Sequence, residues 1–166
     1  QKANSATITV NALPAANAGF DKTICDGQSV MIGAPPVGGN TYSWNPVTDL
    51  NSSTLSNPTA NPPDTTIYTL TETITGTGCQ NSNSVTVIVN PLPAALTGAD
   101  QTICENSSIQ IGAPAVVGNT YNWSPSTGLN LATASDPIAG PIITTIYLLT
   151  ETISATGCQN SNSVTV

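Results

Sequence analysis

The sequence of 166 residues contains no histidine and no arginine, only two lysines, and just 7% charged residues. Hydrolases of the serine or cysteine type use a histidine base, whereas nucleic acids and anionic membrane surfaces bind clustered lysine and arginine. The net charge of −7 and the pI near 4.1 point in the same direction. The composition therefore argues against an enzyme, a nucleic-acid-binding protein and a membrane-surface protein.

Long apolar runs are also missing: none approaches the roughly 18 residues of a membrane-spanning helix. Apolar residues nevertheless make up 39% of the chain, and they recur at alternate positions among Thr, Ser, Asn, Gly and Pro. Alternation with a period of two is typical of half-buried β-strands, and no segment shows a convincing helical period. The sequence therefore predicts an all-β protein.

The most informative feature that is present is an internal repeat. Thr65–Val87 returns as Thr144–Val166 with three changes, and the same spacing of 79 residues relates Cys25 to Cys104. This period suits a small domain and is too long for one turn of a solenoid. The predicted organisation is the last strand of a preceding repeat at 1–11, a first repeat at 12–90 and a second repeat at 91–166.

The segments between the repeats predict stiff joints. Residues 1–11 match Gln80–Asn90, so we expect the sequence to be a window from a longer array. The linkers Asn11–Ala16 and Asn90–Ala95 contain proline and no glycine, which favours extended, restricted backbone. Successive domains are therefore expected to run end to end as a rod.

Each repeat is predicted to form an immunoglobulin-like β-sandwich of about seven short strands separated by turn residues. Asn45–Pro63 is expected to be a loop with at most one short strand. In the first repeat, the expected strands are Asp21–Cys25, Gln28–Gly33, Asn40–Trp44, Thr66–Ile74 and Asn83–Val89.

Aromatic residues recur at matching positions, and alternating aromatics on a sandwich strand are typical of a core. An alternative interpretation for the Tyr and Trp on the third strand is a platform that stacks against sugars. The predicted core aromatics are Tyr42, Trp44 and Tyr68 in the first repeat and Tyr121, Trp123 and Tyr147 in the second.

Two cysteines occupy matching positions in each repeat, which predicts one disulfide per domain, Cys25–Cys79 and Cys104–Cys158. Closing a loop of that length would stabilise a small domain by roughly 4 kcal/mol. A zinc site and free buried thiols are the alternatives, and the zinc site has only two thiols per unit and no histidine. Disulfides imply an extracellular compartment.

Carboxylates that recur in both repeats lie on different predicted elements, which does not suit a paired-carboxylate hydrolase. No catalytic residue is assigned. Calcium is the remaining candidate ligand, because oxygen donors are plentiful, although no Asp-rich run concentrates charge. The candidate calcium residues are Asp21, Asp26, Asp100 and Glu105. Glu72 and Glu151 interrupt an apolar strand face and mark either its emergence into solvent or a bond to a turn amide.

Several motifs recur in order: TIC-[DE]-x₂-S-[VI], TY-x-W-x-P-x-T-x-LN, P-x₂-TTIY-x-LTETI-x₂-TGC and NSVTV. Together they resemble the immunoglobulin-like, PKD-like repeats of very large bacterial surface proteins, and especially repeats of the adhesins of gliding bacteria. The resemblance covers essentially the whole chain. It implies the sandwich fold, export and a scaffold role, and it implies no catalytic residue.

The expected function is that of a structural repeat in a long surface adhesin or motility filament, where it acts as a stiff extracellular spacer. The alternatives are a glycan- or protein-binding module, for example through the Asn45–Pro63 loop, and the stalk of a secreted enzyme. The expected partners are neighbouring repeats, with surface glycans or other surface proteins as further candidates. Neither nucleic acid nor membrane insertion is expected.

Overall fold

The computed structural model describes residues 4–166 and divides the chain into two units, Gln1–Val89 and Asn90–Val166. The secondary structure of the described residues consists of strands joined by turns, and no helix there is long and apolar enough to cross a membrane. Residues 4–11, which correspond to the predicted closing strand of a preceding repeat, are exposed and belong to no strand. Residues 1–3 of that prediction lie outside the described range.

The first unit has a sheet of four strands in the order β1-β6-β5-β3 and a sheet of two strands, β2-β4. The pairs β3–β5, β5–β6 and β2–β4 are antiparallel. The strands are β1 Lys22–Cys25, β2 Val30–Met31, β3 Asn40–Asn45, β4 Thr59–Ala60, β5 Thr66–Ile74 and β6 Gln80–Asn90.

The second unit repeats this plan with a sheet of three strands, β11-β10-β8, and a sheet of two, β7-β9. Gln101–Cys104, which corresponds to β1, forms no strand. The strands are β7 Ile109–Gln110, β8 Asn119–Ser124, β9 Ile138–Ala139, β10 Ile146–Ile153 and β11 Gln159–Thr165.

Apolar and polar side chains alternate along the long strands, and the apolar ones form one core in each unit. On β5, Tyr68 and Leu70 are fully buried and pair with Val85 on β6 and Trp44 on β3 respectively. Hydroxyl-bearing residues on the opposite face pair across the strands, as in the bond of 3.0 Å between Thr71 Oγ1 and Ser82 Oγ. Since successive side chains of a strand point to opposite faces, the predicted period of two yields an apolar inside and a hydroxyl-rich outside.

The all-β, immunoglobulin-like sandwich is confirmed by the strands and their order, but the strand count differs from the predicted seven. Among residues 4–166, the first unit has six strands and the second has five. The segment from Pro14 to Ala18 passes along the sandwich without a strand ladder and is held by single bonds, such as that from the Gly33 N–H to the Ala18 carbonyl at 2.9 Å. Proline and a positive backbone φ at Ala16 prevent a regular strand there.

Candidate functional site

A buried glutamate in the first unit binds the linker segment that leads into that unit. Glu72 lies on β5 and is 3% exposed. Its Oε2 accepts the backbone N–H of Ala16 at 2.7 Å, and its Oε1 accepts the side-chain amide of Asn40 at 2.7 Å. Hydrogen bonds to an ionised group are stronger than neutral ones, so the carboxylate is compensated by two donors. It ties the linker to the sheet.

The second unit repeats this arrangement with the same distances. Glu151 is 3% exposed and accepts the Ala95 N–H at 2.7 Å and the Asn119 side-chain amide at 2.7 Å. The hypothesis that these glutamates emerge into solvent is therefore wrong. The alternative bond to a backbone amide is present, although the amide belongs to the linker and not to a turn.

An asparagine adds a second bond to the same segment. In the first unit the Asn81 side-chain amide donates to the Pro14 carbonyl at 3.0 Å, and in the second the Asn160 amide donates to the Pro93 carbonyl at 2.9 Å. We call this arrangement the linker clamp. It consists of Asn40, Glu72 and Asn81 holding Pro14–Ala16, and of Asn119, Glu151 and Asn160 holding Pro93–Ala95.

The clamp holds an alanine in a conformation that alanine rarely adopts. Ala16 and Ala95 have φ of 47° and 48°, and both are completely buried. A left-handed conformation costs an L-residue about 1–2 kcal/mol. The bond from each alanine N–H to a carboxylate offsets this cost. The clamp asparagines were not predicted from the sequence, although Asn40 and Asn119 lie 79 residues apart, which is the spacing of the repeat.

A small pocket opens beside each clamp glutamate, about 250 Å³ in the first unit and about 330 Å³ in the second. Most lining positions correspond between the units, and they supply Ala, Pro, Val, Tyr and Ser around the glutamate. The Tyr42 hydroxyl accepts the Val37 N–H at 2.6 Å. Among the lining residues, the one carboxylate already accepts two bonds, so the pocket does not place a free base beside a nucleophile. Its geometry serves to hold backbone.

The structure places the predicted core aromatics in two groups. Trp44, Tyr68, Trp123 and Tyr147 are buried, whereas Tyr42 and Tyr121 are partly buried and pack against the edges of the cores. Buried polar atoms of these rings have partners: the Trp44 Nε1–H donates to the Leu55 carbonyl at 2.8 Å. The tryptophans are therefore not exposed platforms for stacking sugars.

Raising the pH above 10 is expected to destabilise both units through Tyr68 and Tyr147. Burial raises the pKa of both phenols, and the Asp49 carboxylate further raises that of Tyr68. In the unfolded chain these groups ionise near pH 10, so the stability they contribute is complete below about pH 10. It is lost as the pH rises through the raised pKa values.

Thermal unfolding measured between pH 8 and pH 12 would check this expectation. The variants Tyr68→Phe and Tyr147→Phe, which have no phenol to ionise, should each show a shallower loss of unfolding temperature with pH. Equal slopes for the native protein and the double variant would contradict it.

The predicted disulfides Cys25–Cys79 and Cys104–Cys158 are not formed in the structure. Cys79 and Cys104 carry free thiols, while Cys25 and Cys158 are disulfide-bonded. A disulfide in the protein is thus supported, but the predicted pairing within each domain requires correction.

The physical reason is the position at which the start of β1 meets β6. Asp21 Oδ1 accepts the Thr86 N–H at 2.8 Å, which fixes the start of β1 beside the middle of β6. β1 is a neighbour of β6 in the sheet, and Cys25 lies only four residues beyond Asp21, about 13 Å along a strand. Cys79 lies seven residues before Thr86, about 23 Å away in a strand. Bridged cysteines need Cα atoms within about 7 Å.

Alkylation of the unreduced, unfolded protein is expected to label Cys79 and Cys104 only. Free thiolates react with iodoacetamide, whereas disulfide sulfur does not. Cys25 and Cys158 should become reactive after a reductant is added. Peptide mass spectrometry reads out each position, and protection of all four cysteines would instead support the two bonds predicted from the sequence.

The candidate calcium residues have structural partners or lie exposed. Asp21 and Asp100 each accept a backbone N–H of the neighbouring closing strand at 2.8 Å. Asp26 and Glu105 are exposed on the turns that follow. Within residues 4–166, no three Cys, Asp or Glu side chains come together in a group that could hold a metal ion.

Comparisons with known proteins gave no matching family model and no matching curated protein. Among solved structures, the chain is similar to immunoglobulin domains 1–4 of Sidekick-1, with 13% identity, a TM-score of 0.37 and coverage of 88% of this chain and 46% of that one. The titin I-band fragment I67–I69 matches with 12% identity, a TM-score of 0.38 and coverage of 88% and 62%.

The extracellular domains 3–5 of Drosophila OTK match with 11% identity, a TM-score of 0.41 and coverage of 88% of this chain and 58% of that one. The chain thus spans about half of the length of these solved fragments. Because these likenesses are distant, we base the immunoglobulin-like fold on the strand order and pairing described above.

Proposed function

We propose that this chain is a structural region of a long bacterial surface adhesin or motility filament, whose repeats act as stiff extracellular spacers without catalytic activity. The linker clamp is the observation that carries this proposal. In both units it binds the segment before the sandwich by a carboxylate and an asparagine. Binding of the linker backbone removes rotational freedom that a flexible tether would retain.

The clamp leaves a very short free joint between the repeats. β6 ends at Asn90, and the Pro93 carbonyl is already bound by Asn160. Only Pro91 and Leu92 lie between these points, and proline fixes its own φ. Glycine-rich tethers behave as flexible coils, whereas short proline-containing segments behave as semi-rigid spacers. A spacer function needs this property, and a catalytic function does not.

Nuclear spin relaxation of the two-unit protein would test the spacer role. A stiff joint should give both units the long rotational correlation time of the whole chain. Replacing Pro91-Leu92 by Gly-Gly-Ser-Gly-Gly-Ser should shorten it toward that of a single unit. Small-angle scattering should give a radius of gyration clearly above the compact value of roughly 15 Å for this length. Native relaxation identical to that of the glycine variant would overturn the proposal.

A binding module is the second candidate, because the second unit exposes two neighbouring isoleucines. Ile142 and Ile143 are 84% and 74% exposed beside a groove of about 720 Å³. The matching residues in the first unit are Pro63 and Asp64. A glycan array tests one form of this function. Selective binding that is lost in the variant Ile143→Asp, which copies Asp64, would favour a binding module over a spacer.

A further inference from the structure

The turn after β1 contains the one aspartate of the sequence that is followed by glycine. Asp26 and Gly27 lie between β1 and β2, whereas the other five aspartates precede Lys, Leu, Thr, Gln or Pro. The backbone nitrogen of the residue after an aspartate can attack the side-chain carboxyl carbon. Glycine hinders this attack least, because it has no Cβ and its backbone is permissive. Asp26 therefore has the neighbour best suited to this reaction.

The turn presents both groups to solvent. The Gln28 N–H donates to the Cys25 carbonyl at 3.0 Å, and Gly27 has a φ of +77°, as in the third residue of a type II turn. Asp26 and Gly27 are exposed, and a Cβ added to Gly27 would find nothing within 4 Å. Among residues 4–166, neither the Asp26 carboxylate nor the Gly27 N–H has a hydrogen-bond partner. The attack therefore requires no contact of either group to break.

The second unit has the same turn with a sequence that disfavours the reaction. The Ser107 N–H donates to the Cys104 carbonyl at 3.0 Å, and Asn106 has a φ of 63°. Glu105 stands at the position of Asp26, and its longer side chain would have to close a larger, less favourable ring. Attack on the Asn106 side chain would come from the Ser107 nitrogen, whose N–H is already in the turn's hydrogen bond. The second unit is therefore a built-in control.

We propose that Asp26-Gly27 is a site of spontaneous isoaspartate formation in the folded protein. The Gly27 nitrogen attacks Asp26 Cγ, the carboxyl hydroxyl leaves with the amide proton as water, and a cyclic imide forms. Water then opens the imide. Opening at Cγ restores aspartate, whereas opening at the main-chain carbonyl carbon leaves Gly27 joined to Asp26 through Cγ. The water lost in the first step is regained in the second, and no oxidant or reductant is needed.

The product lengthens the main chain by a methylene group inside the turn. The bond from the Gln28 N–H to the Cys25 carbonyl spans four consecutive residues, so the longer chain should break it. The Cys25 N–H also donates to Gln28 Oε1 at 3.2 Å, and this contact depends on the same turn. Hydrogen exchange at Gln28 should therefore accelerate in the converted protein, while exchange at Ser107 stays unchanged. The inference is independent of the spacer role, because the turn contains no residue of the linker clamp.

Incubation of the native protein in heavy-oxygen water, followed by peptide mass spectrometry, tests the site. Each opening of the imide inserts a labelled oxygen, and electron-transfer fragmentation distinguishes isoaspartate from aspartate. We expect more isoaspartate at Asp26 than at the other five aspartates together. The rate should lie within about tenfold of that in the unstructured peptide Thr23–Ser29, because the turn adds little to the barrier. Conversion of the peptide with none in the native protein would overturn the proposal.

Matched variants test whether the dipeptide and its turn are sufficient. Asp26→Glu, which copies Glu105, should abolish isoaspartate formation at this turn. Asp26→Asn should accelerate it, because ammonia leaves more readily than water. Glu105→Asp combined with Asn106→Gly should introduce the reaction into the second unit, whereas Glu105→Asp alone should form much less isoaspartate. Isoaspartate that persists at this turn in Asp26→Glu, or a double variant that stays inert, would contradict the inference.

Discussion

Replacing Gly33 by alanine is expected to unfold the first unit or to lower its free energy of unfolding by about 3 kcal/mol or more. Gly33 has a φ of +81°, and a Cβ there would lie 2.0 Å from the Ser56 carbonyl oxygen and 3.0 Å from the Trp44 ring. The left-handed backbone costs an alanine about 1–2 kcal/mol, and relieving the clash requires a shift of the buried backbone. Chemical denaturation followed by tryptophan fluorescence measures the loss.

A substitution at a second glycine separates the cost of the left-handed backbone from the cost of the steric clash. Gly118 has a φ of +89°, but an added Cβ would find nothing within 4 Å. Gly118→Ala should therefore lower the stability of the second unit only by the backbone cost. Gly112→Ala, with a Cβ 2.1 Å from the Ser135 carbonyl oxygen, should behave like Gly33→Ala. If the Gly118 and Gly112 variants lose the same stability, the close approach is not the cause.

Replacing Glu151 by alanine is expected to destabilise the second unit by roughly 3–5 kcal/mol. The substitution leaves the buried Ala95 N–H and the Asn119 side-chain amide without their acceptor. Bonds to charged groups contribute about 1.5–3 kcal/mol each, and a domain of this size has about 4–12 kcal/mol in total. Amide hydrogen exchange at Ala95 should accelerate even where the unit stays folded, because its protecting carboxylate is absent.

Graded variants test whether the loss of stability comes from the hydrogen bonds that Glu151 accepts. Glu151→Gln keeps one carbonyl acceptor and should lose about half as much stability as Glu151→Ala. Glu105→Gln, at an exposed glutamate of the same unit, should change the free energy of unfolding by less than about 0.5 kcal/mol. Denaturation of the first unit provides an internal reference. A Glu151→Ala variant as stable as Glu105→Gln would show that the clamp contributes nothing.

Much of the fold could be predicted from local pattern. The alternation of apolar and polar side chains in Thr66–Ile74 predicted β5 with its observed bounds. It did so because the same alternation determines which face of the strand is buried. The pattern at Gln28–Gly33 overestimated β2, which covers only Val30–Met31. Gly33, two residues after the end of β2, has a left-handed backbone and leaves no room for a Cβ beside the Ser56 carbonyl, and neither feature is visible in the alternation.

The candidate site depends on contacts that local pattern does not contain. Glu72 was recognised as a polar interruption of an apolar face, but its partner Ala16 lies 56 residues away in a linker. The prediction of the cysteine pairing was wrong for a related reason. Matching positions in two repeats indicated a pair, but they gave no information about the end of the sandwich at which Cys25 and Cys79 lie. That information comes from the bond between Asp21 and Thr86.

The linker clamp also defines which stretch of the chain can be duplicated or lost as a whole. Its bonds span 56, 32 and 67 residues in the first unit and the same separations in the second, all shorter than the period of 79. A recombination event that removes one whole period within the near-identical segments Thr65–Val87 and Thr144–Val166 therefore leaves every remaining glutamate and asparagine with a linker to bind. Copy number can change by whole repeats without any compensating substitution, so the length of the protein can vary genetically while the chemistry of each joint stays constant.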